Sequence, residues 1–64
     1  MTKEDALIIK EWRVAGCTWR RVAEKAADLW PDREYISGNQ IEGRELCLEA
    51  CNILDEDWYG EIWN

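Results

Sequence analysis

The chain has 64 residues, of which 14 are acidic and 8 basic, so its formal net charge is −6 at pH 7. A chain of this length forms one small domain and buries only about 60% of the surface that its unfolded form exposes, which excludes a multidomain enzyme. Histidine, the commonest general base and a common zinc ligand, is absent, so we expect no catalytic residue, metal or cofactor. The negative charge excludes loose, sequence-independent binding to nucleic acid or anionic membranes.

The three cysteines indicate a reduced compartment. They cannot all pair within one chain, and Cys17 is far in sequence from Cys47 and Cys51, unlike the pattern of a secreted disulfide framework. A metal site at Cys47 and Cys51 would need two further ligands, so we expect both side chains to be small, buried hydrophobic residues. No apolar run approaches the roughly 18 residues of a membrane span. We therefore expect a soluble, cytoplasmic protein.

Two helices are predicted in the first half of the chain. The first should begin at Thr2, where the Thr2 hydroxyl and the Asp5 carboxylate can form a capping box, and should end before Gly16. The second should begin after Thr18 as N-cap and end at Pro31. Its apolar side comprises Trp19, Val22, Ala23, Ala26, Leu29 and Trp30. With Ile8, Ile9, Trp12 and Ala15 on one face of the first helix, these residues form the predicted core.

The third predicted helix runs from about Gln40 to Leu54, with Asn39 as N-cap. Its solvent-facing stripe is acidic and covers an arc of only about 80°; it comprises Glu42, Glu45, Glu49 and Asn52. Apolar residues occupy both flanks, with Ile41, Cys47, Leu48, Cys51 and Leu54 on one and Leu46, Ala50 and Ile53 on the other. Such a helix must be covered twice, once by the first two helices and once by residues 55–64 or a second molecule.

The predicted fold class is all-α: a compact, three-helix, helix-turn-helix-like bundle over residues 1–54, with an acidic, Trp-rich C-terminal tail, residues 55–64, packed on it. Charge divides unevenly along this chain. Residues 1–33 hold seven basic and six acidic groups, a net of +1, whereas residues 34–64 hold one basic and eight acidic groups, a net of −7. The acidity therefore belongs to the second half.

One order of residues runs through all three predicted helices. It comprises Glu4-Asp5-Ala6-Leu7-Ile8, then Gly16, then Trp19-Arg20-Arg21-Val22-Ala23-Glu24, then Asn39-Gln40-Ile41 with Arg44 beyond. This order resembles the three-helix Myb/SANT-type helix-turn-helix over about residues 4–54. The short format with its acidic, Trp-rich tail is also similar to phage and prophage proteins. The resemblance implies that the Trp packs under the third helix and that the small Ala lets two helices approach closely.

The resemblance also implies a nucleic-acid interface. The third helix would be the recognition helix, with Asn39, Gln40 and Arg44 near base edges. Phosphate contacts would fall to Arg20, Arg21 and Lys25. The alternative function is thus a dimeric helix-turn-helix transcription regulator. It requires one basic face assembled from Arg13, Arg20, Arg21, Lys25, Arg33 and Arg44.

The same charges also have a plainer interpretation. Glu24 and Asp28 are interleaved with Arg20, Arg21 and Lys25 at spacings of three and four residues, which is typical of a solvated helix face with intrahelical ion pairs. The acidic third helix is likewise unsuited to phosphate. Within the family, SANT-type members with an acidic third helix resemble protein binders, and this favours a protein partner.

The aromatic residues of the tail allow two interpretations. Trp58, Tyr59 and Trp63 could fold back over Leu46, Ala50 and Ile53 to complete a small core, or they could anchor a protein partner. Our leading hypothesis is a non-catalytic module that binds a protein with a basic surface, as a regulator or inhibitor of a nucleic-acid machine. The predicted contact residues are Leu46, Ala50, Ile53, Asp55, Glu56, Asp57, Trp58, Tyr59, Glu61 and Trp63. DNA stays the alternative partner, no membrane is expected, and a homodimer stays open.

Overall fold

The computed structural model describes residues 1–31 and 39–59, and in this part of the chain all regular secondary structure is helical. Helix α1 spans Lys3–Val14, α2 spans Trp19–Leu29 and α3 spans Gln40–Leu54. The all-α class is therefore confirmed, and the predicted ends of the helices lie within about two residues of the observed ones. None of these three helices combines the length and the apolar character that crossing a membrane requires.

Short-range side-chain contacts set the start of each helix. The Thr2 hydroxyl accepts from the amide of Asp5 at 3.2 Å, and the Asp5 carboxylate accepts from the amide of Thr2 at 3.4 Å, which completes the capping box. Thr18 and Asn39 cap α2 and α3 through amides in the first turn, at 3.1 and 2.9 Å. Gly16 has φ +106°, a conformation that other residues rarely adopt, and it lets α2 begin soon after α1. All three predicted caps are confirmed.

The core lies between α3 and the other two helices, because α3 packs against both while α1 and α2 touch each other less. The buried hydrophobic residues are Ala6, Ile9, Trp19, Val22, Ala23, Ala26, Leu46, Cys47, Ala50 and Cys51. The rings of Trp12 and Trp30 lie 6.1 Å apart and join α1 to the end of α2. Two residues of the predicted core faces are exposed instead, and both lie at helix ends: Leu29, at 48%, in the last turn of α2, and Ala15 at the C-cap of α1.

Gly43 is the point of closest approach between α3 and α2. A Cβ atom built at Gly43 would overlap the main-chain carbonyl of Trp19, at the first residue of α2. Only glycine brings the axis of α3 this close to another backbone. Gly43 was not identified from the sequence, although a glycine inside a helix is an unfavourable residue and often marks such a contact.

Candidate functional site

The first residues of the tail are held against α1. The chain leaves α3 at Asp55, which is in the left-handed region with φ 54°. The amide of Glu56 then donates to the carbonyl of Cys51 at 2.9 Å, which completes the turn. One carboxylate oxygen of Glu56 lies 2.8 Å from Nζ of Lys10, with which it forms an ion pair, and accepts a hydrogen bond from the indole Nε1 of Trp58 at 3.1 Å. The side-chain hydrogen bond with Lys10 is the largest cause that lowers the pKa of Glu56.

Further along the tail, the main-chain carbonyl of Tyr59 is a shared acceptor. Nε of Arg13 donates to it at 2.7 Å and Nε1 of Trp19 at 3.1 Å, while Nη1 of Arg13 donates to the carbonyl of Cys17 at 2.6 Å. The side chain of Arg13 is completely buried. The expectation that Arg13 belongs to a basic DNA-binding face is therefore wrong, since the guanidinium is occupied inside the domain.

A sequence signal for the burial of Arg13 existed. Arg13 follows Ala6 by seven residues and Ile9 by four, so it lies on the same side of α1 as these two buried residues. An arginine on an apolar face needs acceptors for its N–H groups, and the main-chain carbonyls of Tyr59 and Cys17 accept two of these hydrogen bonds here. The sequence did not show that the Tyr59 carbonyl would be one of these acceptors, because Tyr59 is 46 residues away along the chain.

All three cysteines are free thiols; Cys47 and Cys51 are buried and Cys17 is half-buried. Burial raises the pKa of the Cys47 thiol to about 12, against an opposing effect of the Arg13 charge. Burial also raises the pKa of Cys51, although the amides of Trp58 and Tyr59 donate to its sulfur and oppose the shift. Desolvation lowers the pKa of Arg13 itself. The prediction that Cys47 and Cys51 are small, buried hydrophobic residues is confirmed, with exposures of 0% and 4%.

Residues of α3 form the main acidic surface of the described chain. Glu45, Glu49 and Asn52 are exposed, as the wheel predicted, whereas Glu42 is only half-buried. We call the carboxylates of Glu42, Glu45 and Glu49 the acidic face; the amino group of Met1 lies 3.4 Å from Glu49. Two apolar residues, Ile41 and Ile53, are exposed on the borders of this face, by 70% and 38%. The face therefore combines negative charge with apolar area.

The C-terminal end of α3 adds a second concentration of negative charge. The last turn contains no basic side chain to complement the partial negative charge of the helix C-terminus, although the amides of Asp55 and Glu56 donate to two of its carbonyl groups. Asp55, Glu56 and Asp57 follow directly and are exposed. We call these three residues the acidic end. A cation approaching here meets the helix dipole and the carboxylates together, although Lys10 already neutralises Glu56.

The predicted protein-binding residues on α3 are only partly at the surface. Leu46 is 3% exposed and Ala50 is 0% exposed, so both belong to the core and the expectation that they contact a partner is wrong. The reason is the close approach at Gly43, which lets α1 and α2 cover more of α3 than the helical wheel suggested. Ile53 is the one member of this flank that is exposed, at 38%.

The predicted tail residues are also divided. Trp58 and Tyr59 are half-buried and pack against the core, near Cys51, Arg13 and Lys10. The Tyr59 carbonyl and the Trp58 indole form hydrogen bonds within the domain. Glu61 and Trp63, the other tail residues that were predicted to bind a partner, lie outside the described residues.

Several predicted nucleic-acid-binding residues already have partners within the domain. Arg20 and Arg21 both pair with Glu24, at 3.7 and 3.3 Å, as the intrahelical interpretation predicted. Nζ of Lys25 lies 5.7 Å from the ring centroid of Trp12, a cation–π distance. The side chains of Arg20 and Arg21 are nevertheless 73% and 55% exposed to solvent.

The predicted base-reading residues show the same pattern. The side-chain oxygen of Asn39 accepts from the amide of Glu42 as the N-cap of α3, and the guanidinium of Arg44 lies 5.7 Å from the ring centroid of Trp19. Gln40 is exposed at the start of the helix. Arg33, the remaining member of the predicted basic face, lies outside the described residues.

Comparison with protein-family models, curated proteins and solved structures gives no match for this chain. The resemblance to the Myb/SANT type stays a prediction that rests on the residues quoted above. In the described residues, no three cysteine or carboxylate side chains are arranged so that they could hold a metal ion.

Proposed function

We propose that the chain is a non-catalytic binding module that recognises a protein with a basic surface, through the acidic face and the acidic end. The observation that carries this proposal is the exposure of Glu45 and Glu49 on α3 together with a helix whose last turn contains no basic residue. Negative charge arranged on one rigid helix raises the association rate of a basic partner and disfavours acidic ones.

Apolar contacts supply the affinity that exposed charges do not. Ile41 and Ile53 border the acidic face and leave 70% and 38% of their surface in water. Covering them would add a hydrophobic contribution, whereas exposed ion pairs alone are worth about 0–1 kcal/mol each. A basic segment with apolar residues between its cations would match this surface best.

The arrangement of α2 and α3 as a Myb/SANT-like helix-turn-helix unit, and a cytoplasmic location, are parts of the same proposal. In it the chain acts as a regulator or inhibitor of a nucleic-acid machine, because the phosphate-binding surface of such a machine is basic and complementary to the acidic face. The short acidic format similar to phage proteins supports this role.

The alternative partner, DNA, has less support from the contacts. The Asn39 side chain could contact a base only if it broke its hydrogen bond with the amide of Glu42. Loss of this N-cap would reduce the stability of α3 by about 1 kcal/mol. Arg44 would leave the Trp19 ring, and the acidic face of the same helix would meet phosphate. A mobility-shift assay with duplex DNA at low salt tests this alternative, and binding that is lost in Arg21→Ala and Arg44→Ala would replace our proposal.

The direct test is affinity capture from an extract of the source cells with two double variants. Glu45→Gln/Glu49→Gln neutralises the acidic face, and Glu24→Gln/Asp28→Asn removes the same charge from α2. We expect a basic protein that is retained by the wild type and the α2 variant, is lost from the α3 variant, and dissociates as salt rises. Retention by the α3 variant at wild-type strength would refute the proposal.

A further inference from the structure

An open apolar groove lies along the outer side of α1, away from the core. Leu7, Lys10, Glu11, Val14 and Ala15 line it. Leu7 is 49% and Val14 57% exposed, and they are seven residues apart, so they form a short apolar row on one side of the helix. No residue of the acidic face or the acidic end lines this groove, although Lys10, which does, pairs with Glu56 of the acidic end.

A seven-residue repeat of charge accompanies the apolar row. Lys3-Glu4 precedes Leu7 in the same way that Lys10-Glu11 precedes Val14. With about 100° of rotation per residue, Lys10 lies about 50° to one side of the Leu7–Val14 row and Glu11 about 50° to the other. Lys3 and Glu4 lie on the same two sides. The groove therefore has a basic border and an acidic border.

We propose that the groove is covered by α1 of a second copy of this chain, in a parallel, two-fold symmetric pair. A two-fold axis along the helices places the basic border of each copy opposite the acidic border of the other, so Lys10 faces Glu11 twice across one interface. Leu7 then meets Leu7 and Val14 meets Val14 across the axis. An antiparallel pair would place the two basic borders together and is disfavoured by the same charges.

The partners of the charged residues leave room for this contact. Among the described residues Glu11 forms no ion pair, whereas Lys10 is 2.8 Å from Glu56. An ammonium group has three donors, so Lys10 can hold Glu56 of its own chain and Glu11 of the second copy together. The contact is small, with two large apolar side chains from each copy, and is well below the roughly 800 Å² per partner of a stable interface. The dimer is therefore weak and concentration-dependent.

The first measurement is the sedimentation of the full chain from about 10 µM to 1 mM, the range in which small interfaces associate. We expect the average mass to rise toward that of a dimer. Leu7→Ser should keep the protein monomeric throughout, whereas Leu29→Ser, a matched change on α2 at 48% exposure, should leave the dimer unchanged. A wild type that is monomeric at every concentration, or a dimer unaffected by Leu7→Ser, would overturn the proposal.

Charge exchange gives a second test that does not depend on removing an apolar side chain. Lys10→Glu and Glu11→Lys should each abolish self-association, because each places like charges opposite one another twice. An equal mixture of the two variants should associate again as a heterodimer, since every pair is then of opposite sign. Glu56→Gln removes the carboxylate that pairs with Lys10 and accepts from Trp58 within the chain but leaves Lys10 and Glu11 in place, so this variant should associate as the wild type does.

These outcomes separate the occupants of the groove. If mixing restores no association, a second α1 does not cover the groove and the proposal is wrong. The test of partner binding uses substitutions on α3, whereas the test of the dimer uses substitutions on α1. Either proposal can therefore fail without affecting the other.

Discussion

The guanidinium of Arg13 and the main-chain carbonyl of Tyr59 are joined by a hydrogen bond of 2.7 Å that closes 46 residues of chain. The indole of Trp19 donates to the same oxygen at 3.1 Å. One carbonyl of the tail thereby connects α1 and the start of α2. The tail as far as Tyr59 is a structural part of the domain.

Replacing Arg13 with methionine should destabilise the domain by about 1–3 kcal/mol, because the Cys17 carbonyl loses a charged donor and Tyr59 keeps only Trp19. Chemical denaturation measures the loss, and limited proteolysis should show faster cleavage near residue 59. Arg20→Met, at an exposed position of α2, is the control and should change stability little. Equal stability of the two variants would show that the buried contacts of Arg13 contribute nothing.

Gly43→Ala should destabilise the domain, although this change inside a helix ordinarily stabilises by about 1 kcal/mol. The added methyl group overlaps the carbonyl of Trp19 and forces α2 and α3 apart, and such overpacking costs about 1–3 kcal/mol. Thermal unfolding checks the sign. Asn52→Ala, at an exposed site on the same helix, should be neutral or stabilising, and a stabilising Gly43→Ala would contradict the close approach.

In the native protein we expect one thiol to react quickly with a thiol reagent at about pH 8 and two to react slowly. Cys17 is half-buried, whereas burial raises the pKa of Cys47 to about 12 and raises that of Cys51. A colorimetric assay of thiol modification counts the groups, and denaturant should release all three. Cys17→Ser should abolish the fast phase; persistence of that phase would mean that α3 exposes a thiol.

The Lys10–Glu56 pair should make stability depend on pH in a defined direction. The pKa of Glu56 is lowered from its ordinary value of 4.5 in the folded state, so the pair stabilises the domain above about pH 4.5 and loses its effect as pH falls through the lowered pKa. Glu56→Gln should therefore be less stable than the wild type near neutral pH and equal to it in acid. A difference of the same size at both pH values would exclude ionisation as its cause.

A double-mutant cycle isolates this pair from other effects of the substitution. Lys10→Gln should remove the same pH-dependent difference, and the double variant should lose no more than either single variant. Additive losses would mean that the two side chains stabilise the domain independently.

The parts of the fold that were predictable from the sequence depend on neighbours in the chain. Thr2, Thr18 and Asn39 cap their helices through amides three residues away, and Gly16 acts through its own backbone. The apolar side of α2 was also visible, because a helix of 3.6 residues per turn fixes which side chains share a side. Local geometry determines these features whatever the rest of the domain does.

The parts that were not predictable depend on which distant groups meet. No local pattern indicates that Arg13 will find the Tyr59 carbonyl, or that Gly43 will meet the Trp19 backbone. For the candidate site, the wheel of α3 correctly gave the exposed carboxylates. It wrongly placed Leu46 and Ala50 at the surface. A helical wheel gives the direction in which each side chain points, but not how much of a flank the neighbouring helices cover.

The Arg13–Tyr59 contact also bears on how the chain folds during synthesis. Helix α1 is made early, yet its buried guanidinium receives this acceptor only when residue 59 has left the ribosome. Contacts of such sequence separation are slower to form than those within helices, because a long loop must close first. A nascent chain that stops short of residue 59 leaves Arg13 without that acceptor, so the packing around the end of α1 is completed only after the three helices have been made.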